Sequence, residues 1–436
     1  VAKNEQSYPP SVDRLARLIN DDADLHRYAV LAARSTVQLG SVDWELVARE
    51  RFLAMVGSSL GPVINMSGVV LHTGLGRARL AAEVADAVAA VANSHTPVEF
   101  ELESGERGDR QDHVRWLLQE LTGAEDALVV NNCAAAVVLS LAAVGGGGPV
   151  LLSRGQMVEI GGHFRMPDII KMSGCSLIEV GCTNRTHLKD FESAIGAERG
   201  LILRCHQSNF AQVGFVSQPE PKELAGLAKS RGWRFIDDLG SGCLVDTVGY
   251  GLPKERTLGE AIADGADLVL ASGDKLMGGT QAGILLGSAE MIRACKGHPL
   301  ARAMRVDKLT LAGLEATLRL YFEGREGAIP VWRACARALD DVKRDCQRLR
   351  RAWGRGVIEK GMTELGGGSF PGVGVPTWRF GLGSGDSSLA RRLRLGGLIG
   401  RTEGGQIWLD PRTADGEEVR EAGWILESIK GDGHDI

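Results

Sequence analysis

Between Val63 and about residue 290 the chain alternates short aliphatic runs with amphipathic helical stretches. The runs occupy residues 128–130, 150–152, 176–180, 201–204, 234–236 and 267–271. Helical patterns at 80–92, 111–121, 189–195 and 221–229 lie between most of them. Strands that are apolar throughout, rather than on alternate residues, must be covered on both faces. Strand–helix alternation therefore predicts a mostly parallel, doubly wound α/β sheet. In such sheets ligands bind beyond the carboxyl ends of the strands, so the residues just after each run are the ones that can carry chemistry.

The flanks read differently. Residues 11–56 have helical periodicity and no strand signal. Val12, Leu15, Leu18 and Ile19 form one apolar stripe, Tyr28, Leu31 and Ala32 a second, and Leu46, Val47, Phe52 and Leu53 a third. Residues 57–62 read as a linker. Beyond residue 298 come helices over 300–324 and 329–354, a glycine-rich stretch at 366–372, and a final α+β segment at 373–430. The expected organisation is a helical module at 1–60, a large α/β domain at 61–300, and long helices with a small α+β domain at 301–436. Glycine is abundant, 58 of 436 residues, nearly twice the ordinary ~7%. The glycines cluster between apolar runs, which marks tight turns and ligand loops rather than low complexity.

A net charge of −5 argues against polyanion binding over the whole surface, and no DNA partner is expected, although a local basic face remains open. The longest apolar run, 133–144, falls short of the ~18 residues of a membrane span, and the first residues lack the apolar core of a secretory signal. Eight scattered cysteines without a C-x-x-C pair suit reduced thiols in the cytoplasm and no metal site.

Three strand-end loops could carry chemistry. In the first, an apolar strand runs into Ser272-Gly-Asp274-Lys275 and a glycine-rich turn. Burial at such a place favours a free amine able to form a Schiff base, although a lone turn lysine is ordinarily solvated. In the second, Asp237 and Asp238 follow residues 234–236, some 40 residues before the lysine. A carboxylate there could pair with a pyridinium nitrogen, or simply cap a turn. In the third, Asn131, Asn132, Cys133, Ala134 and Ala135 open an alanine-rich helix whose free N–H groups could cradle a phosphate. The order cradle, aspartate, lysine is the layout of pyridoxal 5′-phosphate (PLP) enzymes with the aspartate-aminotransferase fold, fold type I. Two cationic segments complete the candidates. Arg77 ends His72-Thr-Gly-Leu-Gly76-Arg77, and Arg302 and Arg305 stand three apart, on one face if helical, where paired guanidinium groups suit a phosphate-like anion.

Long strings then resemble the bacterial selenocysteine synthases, the L-seryl-tRNA(Sec) selenium transferases: INMSGVVLHTGLGRA, ESGERGDR, ALVVNNCAAAV, SRGQMVEIGGHFRMPDIIKMSGCSLIEVGCTNRTHLKD, DDLGSG, SGDKLMGGTQAG and HPLARAMRVDKLTLAGLEATLRLY. The resemblance covers nearly the whole chain. It implies a PLP enzyme with Lys275 as the Schiff-base lysine and Asp238, or less readily Asp237, at the pyridine nitrogen. Residues 131–135 and Ser272 would hold the phosphate, and Arg77, Arg302 and Arg305 would receive selenophosphate. It further implies elimination of water from seryl-tRNA(Sec), addition of selenium, and a homo-oligomer, at least a dimer and potentially a ring of dimers.

The chain departs from the family at Gly74, usually Asn, at Thr280, usually Pro, and in a shortened N-terminal module with seven Lys/Arg against eight Asp/Glu over residues 1–60. The basic stretch from Lys343 to Arg355 could supply phosphate contacts instead. Two other readings stay open: a PLP lyase of the same fold acting on an amino acid or amino-sugar acid phosphate, and a catalytically silent tRNA-binding scaffold. The roles of His72, His163 and His206 are also open, between ring stacking, proton relay and structure.

Overall fold

The computed structural model describes residues 10–39, 44–162, 164–207 and 209–431. Its contacts divide the chain into two compact units, Val1–Ile64 and Asn65–Ile436.

The first unit holds three helices, Val12–Ile19, His26–Leu39 and Trp44–Val56. Ser11 starts the first one, its hydroxyl accepting from the Arg14 amide at 3.3 Å, which satisfies one of the orphan donors of a helix start. The core is made of Leu15, Ala16, Ile19, Ala29, Ala32, Ala33, Ala48 and Phe52. It corrects the apolar stripes read from periodicity, because Leu18, Tyr28, Leu31, Leu46 and Leu53 are exposed. Alanines at the seam let neighbouring helices approach closely, whereas long side chains there would hold the axes apart.

The second unit is built on seven strands: β1 (Asp126–Val130), β2 (Pro149–Ser153), β3 (Ser176–Val180), β4 (Leu201–Cys205), β5 (Arg234–Gly240), β6 (Leu268–Ser272) and β7 (Gly283–Gly287). Their spatial order is β1-β7-β6-β5-β4-β2-β3. β7 runs antiparallel to both its neighbours, and the other six share one direction. Successive residues of one strand enter different cores. Val269 and Ala271 pack with Leu117, Leu314 and Leu318 on one face, while Leu268 and Leu270 pack with Val137, Leu141 and Met291 on the other. The expected doubly wound, mostly parallel sheet is what forms.

β7 has no counterpart among the six runs read from the sequence. A Cβ added at Gly283 would lie 2.1 Å from the Asn132 carbonyl oxygen, and one at Gly287 would lie 2.1 Å from that of Asp267. The strand therefore needs glycine at both ends to pass its neighbours, and those glycines make it read as loop.

The stretch expected as one helix over 300–324 is two, Pro299–Ala303 and Lys308–Phe322. Asp307 caps the second by accepting from the Leu309 and Thr310 amides at 2.7 and 3.0 Å. A cap residue is extended, so the chain unwinds before it, and Arg305 instead bridges Val130 at the end of β1.

Towards the carboxyl terminus, β8 (Val357–Gly366), β9 (Gly374–Gly381), β10 (Arg401–Glu403) and β11 (Gln406–Leu409) form a sheet in the order β10-β11-β9-β8, which the short strand Val69–Leu71 joins in parallel with β8. The helices Leu339–Trp353 and Gly416–Gly431 belong to this part. Among the described residues no helix is long and apolar enough to cross a membrane.

Candidate active site

The carboxyl ends of β1, β4, β5 and β6 open onto a cavity of about 380 Å³. Each end delivers a chemically distinct group. β1 leads into the helix Cys133–Gly145, whose first residues Asn132, Cys133 and Ala134 line the cavity. β4 leads to His206, β5 carries Asp238, and β6 ends at Ser272, just before Asp274 and Lys275.

Sheet register brings the middle of this set together. Asp238 pairs with Cys205 on one side and with Leu270 on the other. The pairing then jumps to Ala271 opposite Gly240, leaving Leu239 unmatched. Such a bulge bends the strand and re-aims the side chains next to it. Asp238 Oδ1 and Lys275 Nζ consequently converge: a Cβ placed on Gly240, which has φ +65°, would meet Nζ at 3.6 Å and Oδ1 at 3.8 Å. Both residues are buried.

The two adjacent aspartates part company because neighbouring strand residues face opposite ways. Asp237 is fully buried. Its Oδ1 takes the Arg204 guanidinium at 2.8 Å and its Oδ2 takes Arg256, which also holds Asp264 at 2.7 Å. Asp238 accepts from the Cys133 thiol at 3.7 Å. Burial, opposed by Lys275 and reinforced by Asp237, lifts the Asp238 carboxyl to about 6. The same burial, with Asp238 close by, pushes the Cys133 thiol well above its ordinary range, so it acts as a donor rather than a thiolate. His206 is drawn down to about 4 by burial and by the nearby Arg204 and Lys275 cations, which keeps the imidazole neutral at pH 7. Its Nε2 is buried without a hydrogen-bond partner.

These residues fit a flat, phosphorylated heteroaromatic cation. The Ala135 amide is taken by the Asn132 side chain at 2.9 Å and the Asn131 amide by the Met304 carbonyl at 3.1 Å. That leaves the first helical amides, of Cys133 and Ala134, to face the cavity, with Ser272 beside them. A buried carboxyl whose donor is only a thiol is matched to a protonated ring nitrogen.

Of the residues singled out from sequence, the cavity gathers Arg77, Asn132, Cys133, Ala134, Asp238, Ser272 and Lys275, and leaves Asn131 and Ala135 off its lining. Arg77 adopts φ +62° and its Nη1 donates to Asp274 Oδ2 at 2.8 Å. Arg302 and Arg305 are exposed and off the lining, and Arg305 pairs with Glu99 Oε1 at 3.4 Å. They do not share a helical face, since the helix ends at Ala303. His72 is off the lining, and His163 lies outside the described residues. Sequence reasoning missed Gln281 and the hairpin Glu159–Ile160 with Phe164–Arg165, whose Ile160, Gly161, Gly162 and Phe164 line the cavity. Their signal was a Gly-Gly pair between two short segments, Val158-Glu-Ile160 and Phe164-Arg-Met166, that alternate apolar and charged residues.

Comparison with known proteins decides the family. Residues 63–415 match the family model described as L-seryl-tRNA selenium transferase. The chain belongs to that family. Relatives named L-seryl-tRNA(Sec) selenium transferase include one from Carboxydothermus hydrogenoformans, 46% identical over 84% of this chain and 81% of its own. Another, from Geobacter sulfurreducens, is 41% identical over 93% and 95%. Among solved structures, a D-glucosaminate-6-phosphate ammonia-lyase aligns with a TM-score of 0.62 at 21% identity, covering 87% of this chain and 98% of its own. This chain thus shares its architecture with an enzyme named for a different substrate, and that architecture includes the expected mostly parallel α/β sheet.

Proposed function

We propose that this selenium transferase converts seryl-tRNA(Sec) to selenocysteinyl-tRNA(Sec), eliminating the seryl β-hydroxyl as water and adding selenium from selenophosphate, with PLP as cofactor. The convergence of Lys275 Nζ and Asp238 Oδ1 about Gly240, in a buried cavity edged by a helix start, carries the reading.

PLP, when bound, supplies an electrophilic carbon for amines and a conjugated ring that withdraws electrons. The amides of Cys133 and Ala134, with Ser272, hold its phosphate. Ionised Asp238 keeps a proton on the ring nitrogen, and Asp237 keeps Arg204 and Arg256 in place behind it. Lys275 would be the amine that anchors the cofactor, and its free ε-amino group would be the base at the substrate's Cα proton. Arg77, steadied by Asp274, receives the anionic selenium donor. The exposed Arg302 and Arg305 serve the same anion in a homo-oligomer, where exposed side chains can reach a neighbouring copy's cavity. Residues 1–60 form the tRNA-binding module, residues 61–300 the cofactor domain and residues 301–436 the C-terminal domain, and the enzyme works in the cytoplasm beside the charged tRNA pool.

The test is to give the purified protein seryl-tRNA(Sec) with selenophosphate, and separately free serine and phosphorylated amino acids. Selenocysteinyl-tRNA from the first mixture supports the assignment. Turnover of the small molecules alone overturns it in favour of a lyase. A Lys275→Ala protein that still sustains selenoprotein synthesis in a deletion strain would favour a scaffold.

A further inference from the structure

Residues 343–401 hold twelve lysines and arginines against four carboxylates in a chain whose net charge is −5. The fold gathers much of this excess at one end of the C-terminal part. Helix Leu339–Trp353 closes on the exposed Arg350 and Arg351, and Arg355 follows its αL cap at Gly354. Helix Ser387–Leu395 carries Arg391, Arg392 and Arg394. Both meet the final helix, Gly416–Gly431. A Cβ on Gly423 would touch Ala352 at 3.7 Å, and one on Gly396 would touch Ile425 at 3.0 Å. The far ends coincide too: Gly354 sits against Lys430, whose Nζ would lie 2.6 Å from a Cβ there, and Arg392 Nη2 donates to the Ile429 carbonyl at 2.8 Å. Trp424, 66% exposed, stands on the final helix between Gly423, which faces the first of these helices, and Ile425, which faces the cap of the second.

Cations in the last turns also suit the helix dipoles. That accounts for one or two per helix, but not for an exposed tryptophan on the helix that both arginine-bearing helices meet. Arginines spaced along neighbouring ridges, with an aromatic face between them, match a phosphodiester backbone and an unpaired base or ribose. Glu427 is the acidic residue in the last two turns of the final helix, so the local balance stays positive. We propose that this face, with Arg350, Arg351, Arg394, Lys430 and Trp424 at its centre, is a contact surface for the RNA body of the substrate. The inference rests on the tRNA reading above and gives it the cations that the charge-balanced residues 1–60 lack.

The test uses the full chain with its cofactor and a tRNA(Sec) transcript, measuring affinity across a salt series. For a protein carrying Arg350→Glu, Arg351→Glu, Arg394→Glu and Lys430→Glu, the surface predicts at least about tenfold weaker binding near physiological salt. It also predicts a log–log salt slope shallower by about 3 to 3.5, near 0.7–0.9 for each of four phosphates that are no longer neutralised. The matching Gln variants should shift both in the same direction by less. Trp424→Ala should weaken binding with the slope unchanged. The cofactor's absorbance should be retained throughout, because these side chains lie away from the cavity. Variant affinity within twofold of the parent, with the parental slope, overturns the surface while leaving the enzyme assignment intact. A parent protein that binds no tRNA at any salt overturns the assignment and the surface together. Loss of binding to anionic vesicles but not to tRNA also overturns the surface as an RNA contact.

Discussion

Asp238→Asn separates the energetic cost of the site from its function. Burial raises the Asp238 carboxyl from 3.8 to about 6 in the cofactor-free protein. A raised folded-state value means that the protonated form is favoured by folding. Its contribution is fully present below the unfolded value near 4 and is lost as pH climbs through about 6. Above that point the ionised group opposes folding by about 3 kcal/mol, since each pH unit between the two values is worth 1.36 kcal/mol. Asparagine keeps the shape and can still accept from the Cys133 thiol, yet it has no charge to bury. The cofactor-stripped variant should therefore match the parent near pH 4, gain stability progressively between about 4 and 6, and level off at up to about 3 kcal/mol more stable by pH 7 to 8. Denaturant unfolding at a series of pH values reads this directly. With PLP present the order should reverse, because the parent alone can neutralise a protonated ring nitrogen. A stability difference that is flat with pH, or that grows towards acid, would refute the argument that Asp238 is a desolvated carboxylate awaiting a cation.

Three further outcomes follow from the same geometry. Lys275→Ala should abolish borohydride-stable attachment of the cofactor and turnover together, and peptide mapping of the parent should place the label on residue 275. Asp237→Ala leaves Arg204 and Arg256 facing a buried void, so it should cost about 3–5 kcal/mol in unfolding experiments, whereas Asp238→Asn should not destabilise the stripped protein at neutral pH. Gly283→Ala drives a Cβ towards the Asn132 carbonyl at the start of the cradle helix. It should lower stability by about 1–3 kcal/mol and weaken PLP retention in equilibrium dialysis, and a thermal midpoint equal to the parent's would contradict the close approach.

What could be read along the chain was whatever rests on local periodicity. Six apolar runs became six strands in one direction, and Lys275, Asp238 and the helix start at Cys133 stood at strand ends because parallel sheets place their ligand loops there. What escaped was set by approach distance. β7 looked like loop since its glycines serve neighbouring backbones rather than a turn, and the N-terminal helices bury alanines where hydropathy favoured Leu18, Leu31 and Leu53. The choice between Asp237 and Asp238 likewise had no local signal, for two adjacent carboxylates are chemically identical until something packs against one of them.

The order of residues by itself determined the sheet's class, the sequence of chemical groups offered at its edge, and the family to which the chain belongs. These depend on spacing and residue type, which the linear chain carries in full. Only the tertiary structure decided which aspartate is locked between Arg204 and Arg256 and which is free to face Lys275. It alone took Arg302 and Arg305 off a common helical face, and brought two separate arginine-bearing helices against the helix that carries Trp424. Each of these depends on register, a bulge or a cap that joins residues distant in the chain, and such contacts leave no periodicity behind.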